Sequence, residues 1–433
     1  MNELKLKINN KSTHIGIIGL GYVGLPLAVE FAKVGFNVTG FDVAEDKIDQ
    51  INRGVSYILD VSSKDIKDLV SSRKLRATLD KDLLNKMDVI IICVPTPLRK
   101  TKEPDISFIL SATEDIAKRL RKGQFIVLES TTYPGTTEEV ILTKLSADNM
   151  RVGKDFFLAF SPERVDPGNP KYKTKDITKV VGGVTKVCTE LAKLLYSQII
   201  KEVVSVSSTR SAEMVKLLEN TFRAVNIGLI NELALMCNKM NLDIWEIIEA
   251  AKTKPFGFMP FYPGPGLGGH CLPSDPIYLS WKARAHGFEA RLIELAAEVN
   301  SSMPYFVVDK VMIALNEQKK ALKSSKILVV GVTYKKDIND LRESPALTII
   351  NSLIEKGAKV QYHDPLVPNF ETDGLKLDSL DLTKENIASS DCVVIVTDHS
   401  SLDYKLIVDN AHLVIDTRNV LNDFKGNQKI ITL

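Results

Sequence analysis

Cysteine is scarce in this chain: five among 433 residues, at positions 93, 188, 237, 271 and 392, scattered and odd in number. No CxxC pair and no HExxH occurs, so neither a disulfide framework nor a zinc site is indicated. An excess of charge of one sign is missing too. The 56 basic and 54 acidic side chains leave a formal charge of +2, which gives no support to a nucleic-acid or membrane-surface partner. Long apolar runs are absent: among the strongest, Val89-Ile-Ile-Ile-Cys-Val94 is strand-sized and far short of a membrane span. The opening MNELKLKINNKSTH lacks the apolar core of a secretory signal. A reducing cytoplasm is the simplest setting.

What is present reads as a soluble globular protein, with 44% hydrophobic and 25% charged residues. The length exceeds one ordinary domain, so two or three are expected. His14-Ile-Gly-Ile-Ile-Gly19 reads as a buried strand running into a glycine turn, with a helix predicted from about Tyr22 to Val34 and ended by Gly35. The strand Asn37–Phe41 ends in Asp42, and further strand-like runs fall at 89–94, 124–129 and 155–160. This alternation predicts an α/β fold with a parallel, doubly wound sheet that binds its ligand at the strand C-terminal ends.

Near Ser207 the texture changes. Ser207-Ser-Thr-Arg-Ser offers helix-capping side chains, and 211–252 is free of proline with helical periodicity. A second helical run covers about 276–317, broken or kinked near Pro304. Between them lies a loop rich in glycine, proline and aromatics, of a length that is usually functional. From Lys326 the first pattern returns: Lys326–Gly331 matches the opening strand, Lys359–Asp364 the strand ending in Asp42, and Asp391–Asp398 the run at 88–94. The predicted organisation is two Rossmann-like domains, 1–206 and 321–433, joined by a central helical region, 207–320.

Gly19-Leu-Gly-Tyr-Val-Gly24 is a weak motif alone, but here it follows a strand, opens a helix and is trailed by Asp42. In that context the glycines let the backbone approach a pyrophosphate at the helix N-terminus. An acid closing the second strand binds ribose hydroxyls and repels a 2′-phosphate, which favours NAD over NADP. Four cysteines fall in strand-like or helical runs and are assigned to packing. Cys271 differs: it sits in the turn Pro263-Gly-Pro-Gly-Leu-Gly-Gly-His-Cys-Leu-Pro-Ser-Asp-Pro276, with Asp275 four residues on. A nicotinamide cofactor removes hydride and a thiol can trap the resulting aldehyde, so the two motifs together suggest oxidation of an alcohol past the aldehyde to the acid.

Three further groups have two readings each. Glu213, Lys216, Asn220 and Arg223 form one polar stripe, either a solvated helix face or, since Met214, Val215, Leu217, Leu218 and Phe222 flank it, part of an extensively buried helix whose Lys216 and Asn220 stabilise an oxyanion. Glu163, in Phe160-Ser-Pro-Glu-Arg-Val-Asp-Pro-Gly168, is a water-activating acid or an ordinary loop acid. Lys335, Lys336 and Arg342 meet phosphates or are solvated charges.

Taken together, GLGYVGLP, VPTP at 94–97, SPERVDPG, the helix with Lys216 and Asn220, GPGLGGHCLPSDP and the segment from Lys335 to Arg342 resemble the UDP-sugar 6-dehydrogenase family, from Gly19 to about Arg418. The resemblance implies two NAD-dependent oxidations of a sugar C6 alcohol, a thiohemiacetal and then a thioester on Cys271, and charge stabilisation by Lys216 and Asn220. Asp275, Glu163 and Thr131 would serve proton transfers around a water. It places NAD against Gly19, Gly21, Tyr22, Val23, Gly24, Asp42, Lys47, Val94, Thr96, Thr131 and Arg342. It places the UDP-sugar against Glu163, Arg164, Lys216, Asn220, Phe261, Tyr262, Gly268 and Lys335. It further implies a homodimer through the central helices and a C-terminal domain that holds uridine diphosphate.

Pro162-Glu-Arg-Val165 and Ser274 depart from the pattern of many UDP-glucose enzymes, and with His270 look more like the branch acting on UDP-N-acetylhexosamines. Pro255-Phe-Gly-Phe258 and Asp275–Lys282 look closer to the UDP-N-acetylglucosamine enzymes than to those for the mannosamine epimer. Rivals are a nucleotide-sugar epimerase, since Tyr278-Leu-Ser-Trp-Lys282 fits YxxxK, a two-electron alcohol dehydrogenase, and a silent NAD-binding protein.

Overall fold

A computed structural model describes residues 1–58, 60–99, 103–146, 149–164, 174–269, 271–372, 374–424 and 426–433. Val165 through Gly168 of the SPERVDPG segment, and His270, lie outside them. The chain forms two units, Met1–Glu219 with Trp281–His286, and Asn220–Ser280 with Gly287–Leu433.

The first unit is built on eight strands: β1 His14–Ile18, β2 Asn37–Phe41, β3 Leu75–Thr78, β4 Val89–Ile92, β5 Phe125–Leu128, β6 Phe157–Phe160, β7 Lys179–Gly183 and β8 Val203–Ser205. Their order is β3-β2-β1-β4-β5-β6-β7-β8, and the first six follow the doubly wound dinucleotide arrangement. Every residue of β4, β5 and β6 is buried, as expected of strands covered on both faces. The helix after the glycine turn is Gly24–Lys33, closed by Gly35 at φ +107°, a left-handed position suited to glycine. One strand departs from the parallel alternation: β7 runs antiparallel to β6, and β8 parallel to β7. A parallel return needs a crossover, usually a helix. Among the described residues between β6 and β7 the helical structure is the single turn Thr174–Asp176.

The second unit carries β9 Lys326–Val330, β10 Lys359–His363, β13 Cys392–Ile395, β14 Val414–Asp416 and β15 Ile430–Thr432, all parallel in the order β10-β9-β13-β14-β15. This is the other common doubly wound order. A separate antiparallel hairpin pairs β11 Asn369–Thr372 with β12 Leu375–Asp378. The internal echo extends to single hydrogen bonds. Gly19 and Gly331 both have positive φ and both donate to the second strand, at Phe41 and His363. Leu20 N–H donates to Asp42 Oδ2 and Val332 N–H to Asp364 Oδ2, each at 2.8 Å.

Helices depart from the sequence reading at two breaks. The run predicted over 211–252 is two helices, Thr209–Lys239 and Ile244–Ala251. Asn241 takes φ +55° between them, and Asp243 caps the second by accepting from the Trp245 and Glu246 N–H groups. The run predicted over 276–317 is Asp275–Ala285 and Arg291–Glu317. Its break falls at Gly287, φ +72°, not at Pro304, which lies inside the second helix. Left-handed positions stop a helix more firmly here than one missing N–H does. Ser208 Oγ accepts from Ser211 N–H at the start of the long helix.

Candidate active site

In the first unit the glycine turn opens at the end of β1, beside β4, where the strand order reverses and such sheets bind ligands. A methyl at Gly19 would lie 2.4 Å from the Cys93 carbonyl oxygen, and one at Gly24 1.8 Å from that of Gly19. Both are required by packing. A methyl at Gly21 would meet nothing within 4 Å, so packing does not require a glycine there and the space beside it is open. Asp42 Oδ1 accepts from the N–H groups of Val43 and Ala44 at 2.8 and 3.1 Å, Oδ2 from Leu20, with Lys47 Nζ 3.7 Å away. Tyr22 is exposed, Val23 and Val94 are half-buried, and Thr96 is buried. The residues present fit a dinucleotide with free ribose hydroxyls. Asp364 differs from Asp42: buried His399 accepts from the Asp337 N–H at Nδ1, which leaves Nε2 to donate to Asp364 at 3.0 Å.

Thr131, just past β5, accepts from Lys216 Nζ, and Lys216 is buried. Asn220 follows one helical turn later, so the ammonium and the carboxamide share one stripe of the helix. Glu213 on the same stripe is buried and accepts from Gly135 N–H (2.6 Å), Thr137 N–H (2.9 Å) and Thr137 Oγ1 (2.7 Å). Burial pushes its carboxyl up to about 7. The helix is not buried all round, however: Leu218, Phe222 and Arg223 are exposed. Glu163 Oε1 accepts from Arg164 N–H at 2.9 Å. The Arg164 guanidinium is engaged by Glu219, at 2.7 and 3.2 Å, and by the Thr178 carbonyl.

In the second unit Cys271 is half-buried, whereas Cys237 and Cys392, like Cys93 and Cys188 of the first unit, are buried. Burial pushes the Cys93 and Cys392 thiols well up, so both are inert. The Cys271 carbonyl accepts from the Asp275 N–H at 2.8 Å, and buried Asp275 accepts from Asn220 Nδ2 at 2.5 Å. The glycine loop is clamped at two points. Gly264 N–H donates to Asn231 Oδ1 (3.0 Å), Asn231 to Asn300 (2.9 Å), and Asn300 to the Ala224 carbonyl (3.0 Å). Gly269 N–H donates to the Arg342 carbonyl (2.9 Å), and a methyl at Gly268 would lie 2.5 Å from Tyr334 Cβ. Phe261 meets Phe222 edge-on at 5.9 Å, and Tyr262 stacks on Trp245 at 6.1 Å. Lys335 is half-buried, and Arg342 forms a forked pair with Asp340.

Sequence reasoning missed Asn231, Asn300, Glu219 and a buried group of Glu129, Lys179 and Tyr196. Glu129 alone left a trace, as an acid closing the apolar run of β5. The two halves of the YxxxK match are otherwise employed: Tyr278 is fully buried, and Lys282 pairs with Glu139 at 2.8 Å over the Tyr133 ring. Among the described residues no cluster suits a metal ion, and no helix is long and apolar enough to cross a membrane.

Residues 13–200 match the NAD binding domain of the UDP-glucose/GDP-mannose dehydrogenase family, 210–302 its central domain and 328–423 its UDP binding domain. The chain belongs to that family. It is therefore an NAD-dependent nucleotide-sugar dehydrogenase, and its C-terminal domain indicates a UDP-sugar substrate. It is 38% identical over 361 residues to a UDP-N-acetyl-D-glucosamine 6-dehydrogenase of Pseudomonas aeruginosa, covering 82% of this chain and 84% of that one. It is 35% identical over 415 residues to a UDP-N-acetyl-D-mannosamine dehydrogenase of Pyrococcus horikoshii, covering 94% and 96%. A solved UDP-D-ManNAc dehydrogenase from Pyrococcus horikoshii superposes with a TM-score of 0.88 at 33% identity, covering 97% and 98%.

Proposed function

We propose that this enzyme oxidises the C6 alcohol of a UDP-N-acetylhexosamine, UDP-N-acetylglucosamine first, to the uronic acid by removal of four electrons through Cys271. The observation that carries this reading is the contrast among the cysteines: four are buried in packing, and the half-buried fifth lies in a glycine turn clamped at Gly264 and Gly269. NAD+ would supply the hydride acceptor, one molecule for each of the two oxidations, bound in succession. Residues Gly21, Tyr22, Val23, Asp42, Lys47, Val94, Thr96 and Thr131 hold it, and Arg342 contributes from the C-terminal domain.

The chain's own chemistry is covalent. The Cys271 sulfur bonds to the aldehyde carbon and the thiol proton passes to the carbonyl oxygen, giving a thiohemiacetal. Loss of hydride and of the hydroxyl proton leaves a thioester. Water then adds to its carbon, the C–S bond breaks, and the thiol returns with the carboxylate product. Lys216 and Asn220 donate to the C6 oxygen as charge grows on it. Asp275, held by Asn220, takes and returns protons, with Thr131 and Glu163 directing the water. Arg164, Phe261, Tyr262, Gly268 and Lys335 hold the UDP-sugar.

The division into 1–206, 207–320 and 321–433 assigns cofactor, catalytic helices and uridine diphosphate respectively. Exposed Leu218, Phe222, Leu229 and Met236 on the central helix support a homodimer through that face, and five thiols without disulfides support a cytoplasmic setting. Ser274 and the Glu163-Arg164-Val165 sequence favour a hexosamine over glucose. The Pyrococcus relative, covered nearly end to end, keeps the mannosamine epimer as the second reading. Parallel turnover of UDP-GlcNAc, UDP-ManNAc and UDP-glucose decides. Preference for UDP-GlcNAc by kcat/KM supports the first reading, preference for UDP-ManNAc the second, and UDP-glucose contradicts both.

A further inference from the structure

The antiparallel strand β7 brings a lysine to the edge where β5 and β6 end. Ala159 pairs with Gly183 and Phe160 with Gly182. Continued three residues, that register sets Glu163 opposite Lys179. Hydrogen bonds from Ser161 Oγ to the Val180 carbonyl (2.9 Å) and from Arg164 Nη1 to the Thr178 carbonyl (2.6 Å) hold the chains together that far. A parallel β7 would present its other end, Gly183, at this edge.

Lys179 Nζ lies 3.5 Å from Glu163 Oε2 and donates to Glu129 Oε1. Glu129 Oε2 in turn accepts from the Tyr196 hydroxyl. Glu129, Lys179 and Tyr196 are all buried. The Glu129 and Glu163 carboxyls also meet each other, a contact that adds to burial in raising Glu129; the Cys93 thiol, which burial keeps protonated, and the Arg164 N–H on Glu163 Oε1 face the cluster as well. Two carboxylates thus share one ammonium. A buried ion pair is often no more stabilising than apolar side chains of the same size. Three ionisable side chains at the ligand-binding edge of a doubly wound sheet therefore point to a role beyond folding.

We propose that Lys179 is a positioning residue for Glu163, keeping its carboxylate ionised and aimed from the end of β6, with Glu129 and Tyr196 fixing the ammonium. This rests on the reading of Glu163 as the group that directs water in thioester hydrolysis. Without the ammonium, the two neighbouring carboxyls compete for one proton, and burial already pushes Glu129 up to about 7. Without Glu129, the whole ammonium charge serves Glu163. The two losses therefore act in opposite directions.

The test is the pH dependence of acid release from full-length Glu163→Gln, Lys179→Met, Lys179→Arg and Glu129→Gln, with the Cys271 adduct followed by intact mass. The acidic limb of the hydrolysis profile is expected to move up by about 1–3 pH units in Lys179→Met and down in Glu129→Gln. Lys179→Arg, which keeps the charge, is expected to return it towards wild type. A structural role would lower rates without moving the limb in opposite senses. If Glu163→Gln accumulates thioester while Lys179→Met and Glu129→Gln keep the wild-type limb, the positioning role is wrong and the reading of Glu163 survives. If Glu163→Gln hydrolyses at the wild-type rate, that reading fails and the proposal falls with it. Should Lys179→Met not fold, the nearly isosteric Glu129→Gln decides alone: a downward limb supports the proposal and an unmoved one overturns it.

Discussion

An alanine methyl at Gly24 would sit 1.8 Å from a backbone oxygen, whereas at Gly21 it would meet nothing within 4 Å. The two glycines of one turn are thus kept for different reasons, and their variants should separate. Gly24→Ala is expected to destabilise the fold by about 1–3 kcal/mol through overpacking. Gly21→Ala should unfold at the wild-type temperature yet bind NAD more weakly, because the methyl occupies space the pyrophosphate needs. Thermal melts with and without NAD read both; a Gly21→Ala protein with unaltered NAD affinity would contradict the placement of the cofactor. Cys271→Ala is expected to keep NAD affinity and lose acid formation, checked by titration and product analysis. At this scale the sequence singles out rare residue types in rare contexts, and the structure sets them apart too: Asp42 hydrogen-bonds the glycine turn, and Cys271 is half-buried where the other four cysteines are buried. Lys179 left no such mark. A lysine opening a strand looks like any other, and only the antiparallel pairing of β6 and β7 sets it beside Glu163.

Elements are tied to one another by buried polar side chains, and two of these ties carry measurable consequences. Asn231 and Asn300 link two helices to Gly264 at the start of the catalytic turn. Asn231→Ala leaves the Gly264 N–H and Asn300 without their partner, a loss of about 1–3 kcal/mol, and a fall in kcat should accompany the drop in melting temperature. Glu213 joins the long helix to residues 135–137. Burial raises its carboxyl from an ordinary 4.5 to about 7, so the folded protein holds a proton that the unfolded chain has released between those values. Its contribution to stability is therefore fullest below 4.5 and declines as pH rises to about 7, by about 3 kcal/mol in all. Glu213→Gln removes that decline. The melting temperature of the variant minus that of wild type should grow with pH across this window; a flat difference would show that Glu213 is ionised throughout. Helix boundaries were less legible than strands. Asn241 and Gly287 stop helices by adopting positive φ, and single residues of that kind are hard to distinguish from tolerated ones. Pro304 is conspicuous in sequence but sits within a helix whose surroundings hold it.

Over the whole molecule the same doubly wound plan appears twice with different ends. In the first sheet domain Asp42 closes the second strand and accepts from the N–H groups of Leu20, Val43 and Ala44. In the second, Asp364 holds the same hydrogen bond to the turn but is itself buried and bonded to buried His399. The repeat was readable in outline because buried parallel strands write near-continuous apolar runs; the bond from His399 to Asp364 was not, because His399 lies far along the chain. The exposed apolar side chains of the central helix lead us to expect a dimer mass by light scattering, and Leu229→Lys with Met236→Lys should shift it towards monomer. A mass that stays monomeric in the wild type would remove the dimer from the account. The covalent role of Cys271 is tested most directly by counting NADH formed per UDP-GlcNAc consumed by the purified enzyme, with the product identified. Two NADH and a uronic acid are the expected result; one NADH and an aldehyde would leave Cys271 without its covalent role and contradict the account.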